Sequence, residues 1–196
     1  MKDITFATTN KGKYLSAKRV LGKYNISVVQ ANIELPESQS SLEIIAAHKV
    51  KYAYKLLRRP VIAMDAGFFI YSLKGFPMMY VKPVLQTIGI NGILKLVSGK
   101  PRECEFREIL CFSDSNTIAP KFFTRIVKGT LAKKSSGKMH ERHWSELALI
   151  FIPVGYTETM AAMNEEEFLK YRQGIEEESP KWLQCHCLDE VAPLPD

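Results

Sequence analysis

Two short stretches carry residues whose chemistry goes beyond packing. Asn10-Lys11-Gly12-Lys13 follows the apolar run ITFA at residues 4–7 and leads into a segment where Tyr14, Ala17, Leu21 and Tyr24 recur at helical spacing. Strand, polar glycine turn and helix can seat a phosphate. The helix start offers backbone N–H groups without helical partners, and Lys11 and Lys13 add point charges for an oxyanion. The same four residues also suit an ordinary solvated turn, and the local pattern leaves both readings open. The second stretch is VIAMDAGFFI, residues 61–70. Val61, Ile62 and Ala63 read as a buried strand, with Asp65 expected where that strand ends and Gly67 just beyond. A carboxylate there can present an acid into a cleft or an oxygen ligand to Mg²⁺. The alternative is that Asp65 caps a turn. Glu37, in the loop ELPESQSS, is a second candidate oxygen ligand, and spacing alone does not pair the two. Cys185-His186-Cys187 has metal-ligating residue types but lacks the second close pair that a structural zinc site uses.

Positioning these groups requires alternating strands and helices, an α/β chain. Residues 27–30 read as the next strand, and the loop after them closes on Ser40 as an N-cap with Glu43 three residues on. Apolar positions 42, 45, 46, 53, 56 and 57 make a helical stripe interrupted by His48 and Lys49. Gly75-Phe76-Pro77 opens a methionine- and aromatic-rich loop whose Met78, Met79 and Tyr80 suit either a core or an interface. Residues 87–97 read as one short helix with two internal glycines, ended by Pro101. Residues 106–113 and 122–128 read as an antiparallel pair. The basic stretch 133–142 suggests a mobile surface loop, LALIFI at 147–152 an interior strand, and the glutamate-rich stretch 158–178 a charged helix. Pro180, Pro193 and Pro195 point to an irregular tail from about residue 180.

With 196 residues, 46% hydrophobic and 24% charged, the chain suits a single domain, 1–196, or two lobes around a shared cleft, and excludes fibrous, coiled-coil and disordered classes. The net charge of +6 is unevenly placed. Residues 1–60 hold 11 Lys+Arg against 4 Asp+Glu, an excess of +7, and the remainder holds 16 against 17. A basic front end without an arginine stripe or interleaved aromatics argues against nucleic acid as partner. Four irregularly spaced cysteines are no disulfide framework, so a reducing cytoplasm is expected. MKD followed by ITFA gives neither a signal-peptide core nor a membrane span, and no membrane partner is expected.

Read in order, ITFATTNKGKYLSAKRVL, ELPESQS, HKVKYA, VIAMDAGFF, LKGFPMMYVKPVLQTIGINGILKLV and FIPVGYTETMAAM resemble the Ham1 or inosine triphosphate pyrophosphatase family, especially its archaeal-type members. The similarity spans about residues 3–165. It implies a two-lobed, elongated, mixed-sheet α/β fold with a central cleft, the Maf/Ham1 architecture, assembled as a homodimer. It also implies hydrolysis of non-standard purine nucleoside triphosphates, those of inosine and xanthosine, to the monophosphate and pyrophosphate with Mg²⁺ or a similar divalent ion such as Mn²⁺. Carried over position by position, the resemblance makes Thr8, Asn10 and Lys13 triphosphate-binding residues. Glu37 and Asp65 become metal ligands. Lys49 reaches the phosphates or steadies the carboxylates, and Asp65 orders metal and water.

The departures fall mainly on one side of that site. Where the resemblance implies adjacent acids and then a hydroxyl before the glycine, this chain has Met64, Asp65 and Ala66. The implied base-stacking aromatic is Leu147 and the implied base-reading aspartate is Ala148, whose methyl group accepts no hydrogen bond. Phe168 stands for a lysine and Arg172-Gln173-Gly174 for Ser-His-Arg; a shifted register saves Arg172 as a substrate-binding residue but restores no histidine. Two readings follow: a pyrophosphatase with altered base recognition, or a catalytically weak or inactive relative that binds nucleotide.

Overall fold

The computed structural model describes residues 2–33, 41–115 and 119–176. Its spine is one mixed sheet. Strands β1 (Lys2–Ala7), β2 (Ile26–Ala31) and β3 (Val61–Ile70) lie in the order β2-β1-β3 with β1 parallel to both neighbours. The sheet continues through β5 (Glu103–Ser113), β6 (Lys121–Leu131) and β7 (Phe151–Pro153), all antiparallel, and the two-residue β4 (Pro77–Met78) pairs with β3. The first half follows from the long helical crossovers that parallel strands need, here α1 (Lys11–Gly22) and α2 (Leu42–Leu57). The antiparallel expectation for the two later strands holds, with each strand longer than its apolar run.

Strand alternation divides the apolar residues between two faces. Phe6, Ile62, Leu110 and Phe112 pack with Leu21 of α1 on one face. Ala7, Val61, Ala63, Ile109 and Cys111 pack with Leu42, Ala46, Val50 and Ala53 of α2 on the other. The far ends of β3, β5 and β6 carry a third cluster, in which Phe68, Cys104, Val127 and Leu131 meet Val84 of α3 (Val81–Thr87), Ile90 and Ile93 of α4 (Gly89–Leu96), and Phe168 and Tyr171 of α5 (Glu165–Glu176). These clusters make two lobes on one sheet. Between them Met64, Asp65 and Ala66 are half-exposed in a strand otherwise mostly buried.

Several expectations change. Asp65 lies in mid-strand opposite Ile109, because β5 keeps pairing past Ala66 and Gly67 where the sequence suggested an end. The N-cap of α2 is Ser41, whose hydroxyl accepts the Ile44 N–H at 3.4 Å; Ser40 lies outside the described residues. Residues 87–97 belong to two helices that meet at Gly89, whose φ of +61° suits glycine and breaks the helical run. LALIFI is a 3-10 turn over Glu146–Leu149 followed by short β7. Ser145 caps the turn by accepting the Leu147 N–H, and the run plugs that third cluster, the core of the upper lobe, by burial without the pairing of a longer strand. The basic stretch 133–142 is tied down, with Ser136 N–H donating to Leu149 C=O and Lys138 N–H to Ala161 C=O. Helix α5 starts later than its glutamates suggest, at a reciprocal cap between Asn164 and Glu167. The expected tail and Cys185-His186-Cys187 lie outside the described residues. Among the described residues no helix is long and apolar enough to cross a membrane.

Candidate active site

The turn into α1 is built by its own side chains. Thr8 Oγ1 accepts the Asn10 N–H at 3.1 Å, and Asn10 Oδ1 caps the helix by accepting the Lys13 N–H at 2.9 Å. The other end of the Asn10 amide donates to the Trp144 C=O at 2.9 Å, which ties the turn to the segment 141–146. Gly12 makes that approach possible. A Cβ there would stand 2.8 Å from the His143 carbonyl oxygen and 3.0 Å from that of Glu141. The Lys11–Glu141 pair at 2.7 Å is largely exposed and adds little.

Lys13 rises from this turn toward β3, where its Nζ lies 3.4 Å from the Met64 C=O. Burial holds its pKa below that of an ordinary lysine, with Lys49 acting in the same direction and Asp65 in the opposite one. Lys49, on the face of α2 that meets the sheet, forms an ion pair at 2.7 Å with Asp65 Oδ1, both side chains being largely buried. Thr8, Asn10, Lys13, Lys49 and Asp65 all line one cleft of about 1010 Å³, the upper end of the usual size for a small-molecule site. Five of the expected site residues are thus brought together. Glu37 lies outside the described residues. Backbone donors, ammonium groups and a carboxylate in such proximity can hold a polyphosphate and orient a water beside it.

The residues that the resemblance implies for the base are arranged differently. Leu147 and Ala148 are 0% and 2% exposed and sit in the upper lobe's interior, so neither faces the cleft. Phe168 is also buried, under the Arg142 guanidinium at 4.6 Å. The residues from this segment that do line the cleft are His143, Trp144, Ser145 and Glu146. Trp144 is held by its indole N–H, which donates to Ser16 Oγ at 3.2 Å, and by the Arg172 guanidinium 4.6 Å from its ring centroid. Arg172 is only 4% exposed. It lines a narrow crevice of about 50 Å³ that shares Lys13 and Trp144 with the cleft and includes the buried Glu108–Arg125 ion pair. His143 is neutral near pH 7, because burial and then the nearby Arg142 and His140 push its pKa down to about 4. Its Nδ1 accepts the His140 N–H, so Nε2 carries the proton. Sequence reading missed Trp144 and His143. The only signal was an aromatic pair just before an apolar run, and taking that run as a strand gave no reason to place them at a site.

Among the described residues no group of three or more His, Cys, Asp or Glu forms a metal cage. Asp65 offers a carboxylate with one oxygen engaged by Lys49 and the other not engaged by that pair, in a cleft large enough for a triphosphate. That donor set suits Mg²⁺, which commonly takes one or two protein carboxylates and completes its shell with substrate phosphates and water.

Fold and cleft together define a class: a mixed-sheet α/β protein with a site between two lobes, lined by lysines and a carboxylate at mid-strand. The Ham1 family model matches residues 4–173, and the chain belongs to the Ham1 family. It is 39% identical over 169 residues to a dITP/XTP pyrophosphatase of Methanopyrus kandleri, covering 85% of this chain and 87% of that protein. Against a dITP/XTP pyrophosphatase of Hyperthermus butylicus it is 36% identical over 185 residues, 92% of this chain and 94% of the relative. A HAM1 protein structure from Coxiella burnetii shares the fold, with a TM-score of 0.79 at 19% identity over 95% of this chain and 100% of that one.

Proposed function

We propose that this protein is a nucleoside triphosphate pyrophosphatase that hydrolyses non-standard purine nucleoside triphosphates, such as those of inosine and xanthosine, with relaxed discrimination among bases. The observation that carries the reading is the Lys49–Asp65 pair at 2.7 Å, opening into the same cleft as the Asn10–Lys13 turn. The similarity to two dITP/XTP pyrophosphatases over most of the chain supports the substrate class.

In this reading the start of α1 and Lys13 hold the triphosphate, with Thr8 and Asn10 fixing the shape of the turn. Asp65 orients the attacking water and accepts its proton, and Lys49 holds that carboxylate in place through their ion pair at 2.7 Å. Lys13 and Lys49 lie near the leaving pyrophosphate, where developing negative charge needs cations. The residues that would hold Mg²⁺ or Mn²⁺ are Asp65 and, from the segment before α2, Glu37. The ion supplies charge neutralisation on the phosphates when bound. Trp144 offers a flat surface for the base, and Arg172 reaches the substrate only through Trp144. No acceptor at position 148 reads the purine edge, which is why discrimination is expected to be weak.

A dimer and a cytoplasmic location belong to the same reading. Phe122 and Ile126 are 39% and 52% exposed on β6, and β7 pairs only with its last residues, a pattern that suits burial against a second copy.

Product identity tests the proposal. Incubation with inosine triphosphate and Mg²⁺ is expected to yield one pyrophosphate per inosine monophosphate. Orthophosphate with the diphosphate would place the cut elsewhere and defeat the proposal.

A further inference from the structure

We infer that the same cleft has a further activity, the hydrolysis of inorganic triphosphate, a substrate with no nucleoside, to pyrophosphate and orthophosphate. The inference rests on the pyrophosphatase reading for its site and goes beyond it in the class of substrate.

The groups assigned to the cut are held by contacts within the protein. Asn10 Oδ1 fixes the Lys13 N–H at 2.9 Å, Lys49 fixes Asp65 at 2.7 Å, and Gly12 lets the segment 141–146 close against α1. No bound base is needed to assemble them. The base in turn finds little that reads it, since Leu147 and Ala148 are buried in the upper lobe and Trp144 offers a surface for stacking. One stacked base is worth roughly tenfold to hundredfold in binding. Its loss weakens a substrate without removing any group that does the chemistry.

Charge at the nucleoside end suits an anion. Trp144 is flanked by Lys13, whose Nζ lies 5.9 Å from the ring centroid, and by the Arg172 guanidinium at 4.6 Å. The crevice that these residues share is lined by Lys13, Arg125 and Arg172 against Glu108, a formal excess of +2. A neutral purine makes less use of that field than an anion does. The attacked phosphorus of a nucleoside triphosphate carries the nucleoside oxygen where that of inorganic triphosphate carries a further anionic oxygen. In this reading the cations around Trp144 lie at that end of the substrate.

The bond changes are those of nucleotide cleavage, moved to a terminal phosphorus. A water oxygen attacks that phosphorus, Asp65 takes the water proton and returns it to solvent, and the bond to the bridging oxygen breaks. Pyrophosphate leaves with the bridging oxygen, near Lys13 and Lys49, and the attacked phosphorus departs as orthophosphate. One water is consumed for each pair of products.

Phosphorus NMR of the protein incubated with inorganic triphosphate and Mg²⁺ tests the inference. Equal amounts of pyrophosphate and orthophosphate are expected, at a kcat/KM about 10–100-fold below that for inosine triphosphate, the worth of one stacked base. Inorganic triphosphate should also inhibit nucleotide hydrolysis competitively, with an inhibition constant equal to its own KM. Asp65→Asn, or Lys49→Gln if the first variant loses its fold, should slow both reactions by the same factor. Trp144→Ala should bring the two kcat/KM values about tenfold closer together. Nucleotide turnover with no product from inorganic triphosphate would overturn the inference and leave the pyrophosphatase reading standing. Turnover of inorganic triphosphate without turnover of any nucleotide would do the reverse, and turnover of neither would end both. Orthophosphate release that survives these variants undiminished belongs to another site or to a contaminating phosphatase, and it overturns the inference as well.

Discussion

The two sides of the cleft are held by different means. On the side proposed to hold the phosphates, backbone groups and short polar contacts do the positioning. Asn10 caps α1 with one end of its amide and holds Trp144 with the other, and Lys49 meets Asp65 at 2.7 Å. On the side proposed to hold the base, the positions that the resemblance implies are turned into the interior, and an indole with Arg172 4.6 Å from its ring centroid lines the cleft instead. Phosphate binding depends on charge and N–H groups that many backgrounds can supply. Base reading depends on individual acceptors and donors, and a single Ala148 removes one. One side of such a site can therefore stay constant while the other is rebuilt.

Breaking the phosphate side should have the largest effect. Asp65→Asn is expected to lower pyrophosphate release by about 10²–10⁴-fold, the usual range for loss of a general base. Circular dichroism should show the fold retained, and turnover unchanged by the substitution would remove Asp65 from its role. On the base side, Ala148→Asp looks like a repair but should act as damage. The position is 2% exposed among apolar neighbours, so a new carboxylate there costs several kcal/mol of stability and lowers the melting temperature without improving base preference. A gain in inosine selectivity from that substitution would mean that the segment 144–149 is not held as described.

Smaller effects sharpen the contrast. Trp144→Ala should weaken binding of all purine triphosphates by about 1–3 kcal/mol, the worth of one base stacked on an aromatic ring, while inorganic triphosphate binds as before. Equal losses for both ligands would place Trp144 on the phosphate side. The smallest effect is a pH dependence. Lys13 binds phosphate when charged, and it is charged below its pKa, which burial holds under the ordinary lysine value of 10.5. Triphosphate affinity should therefore begin to fall at a lower alkaline pH than an ordinary lysine would give. Lys13→Arg, which stays charged, should move that limb upward in a titration of affinity against pH.

Much of the fold was legible because its signals are local. The stripe in residues 42–57 gives α2 its observed bounds, and two β-rich runs give the antiparallel β5 and β6. Features decided by distant partners were not. Asp65 followed by Ala66 and Gly67 reads as a strand end, yet pairing with β5 carries β3 through to Ile70. LALIFI has strand composition, but only Phe151 and Ile152 of it join β7, and the rest folds as a turn in the upper core. Of the candidate residues, Lys13 and Asp65 stand out by their local pattern and Lys49 only through the family resemblance, and the structure brings the three to one cleft. Trp144 was not singled out, because nothing in its neighbourhood shows that Gly12 leaves room for its ring and for the His143 carbonyl against α1.

The most direct measurement is the rate of pyrophosphate release by the wild-type protein across inosine, xanthosine, standard purine and pyrimidine triphosphates, with Mg²⁺ and with Mn²⁺. An intact phosphate side beside a rebuilt base side predicts measurable turnover on purine triphosphates, with kcat/KM values lying within about tenfold of one another, the discrimination expected when position 148 offers the base no acceptor. A strong preference for inosine triphosphate over every standard nucleotide would contradict it.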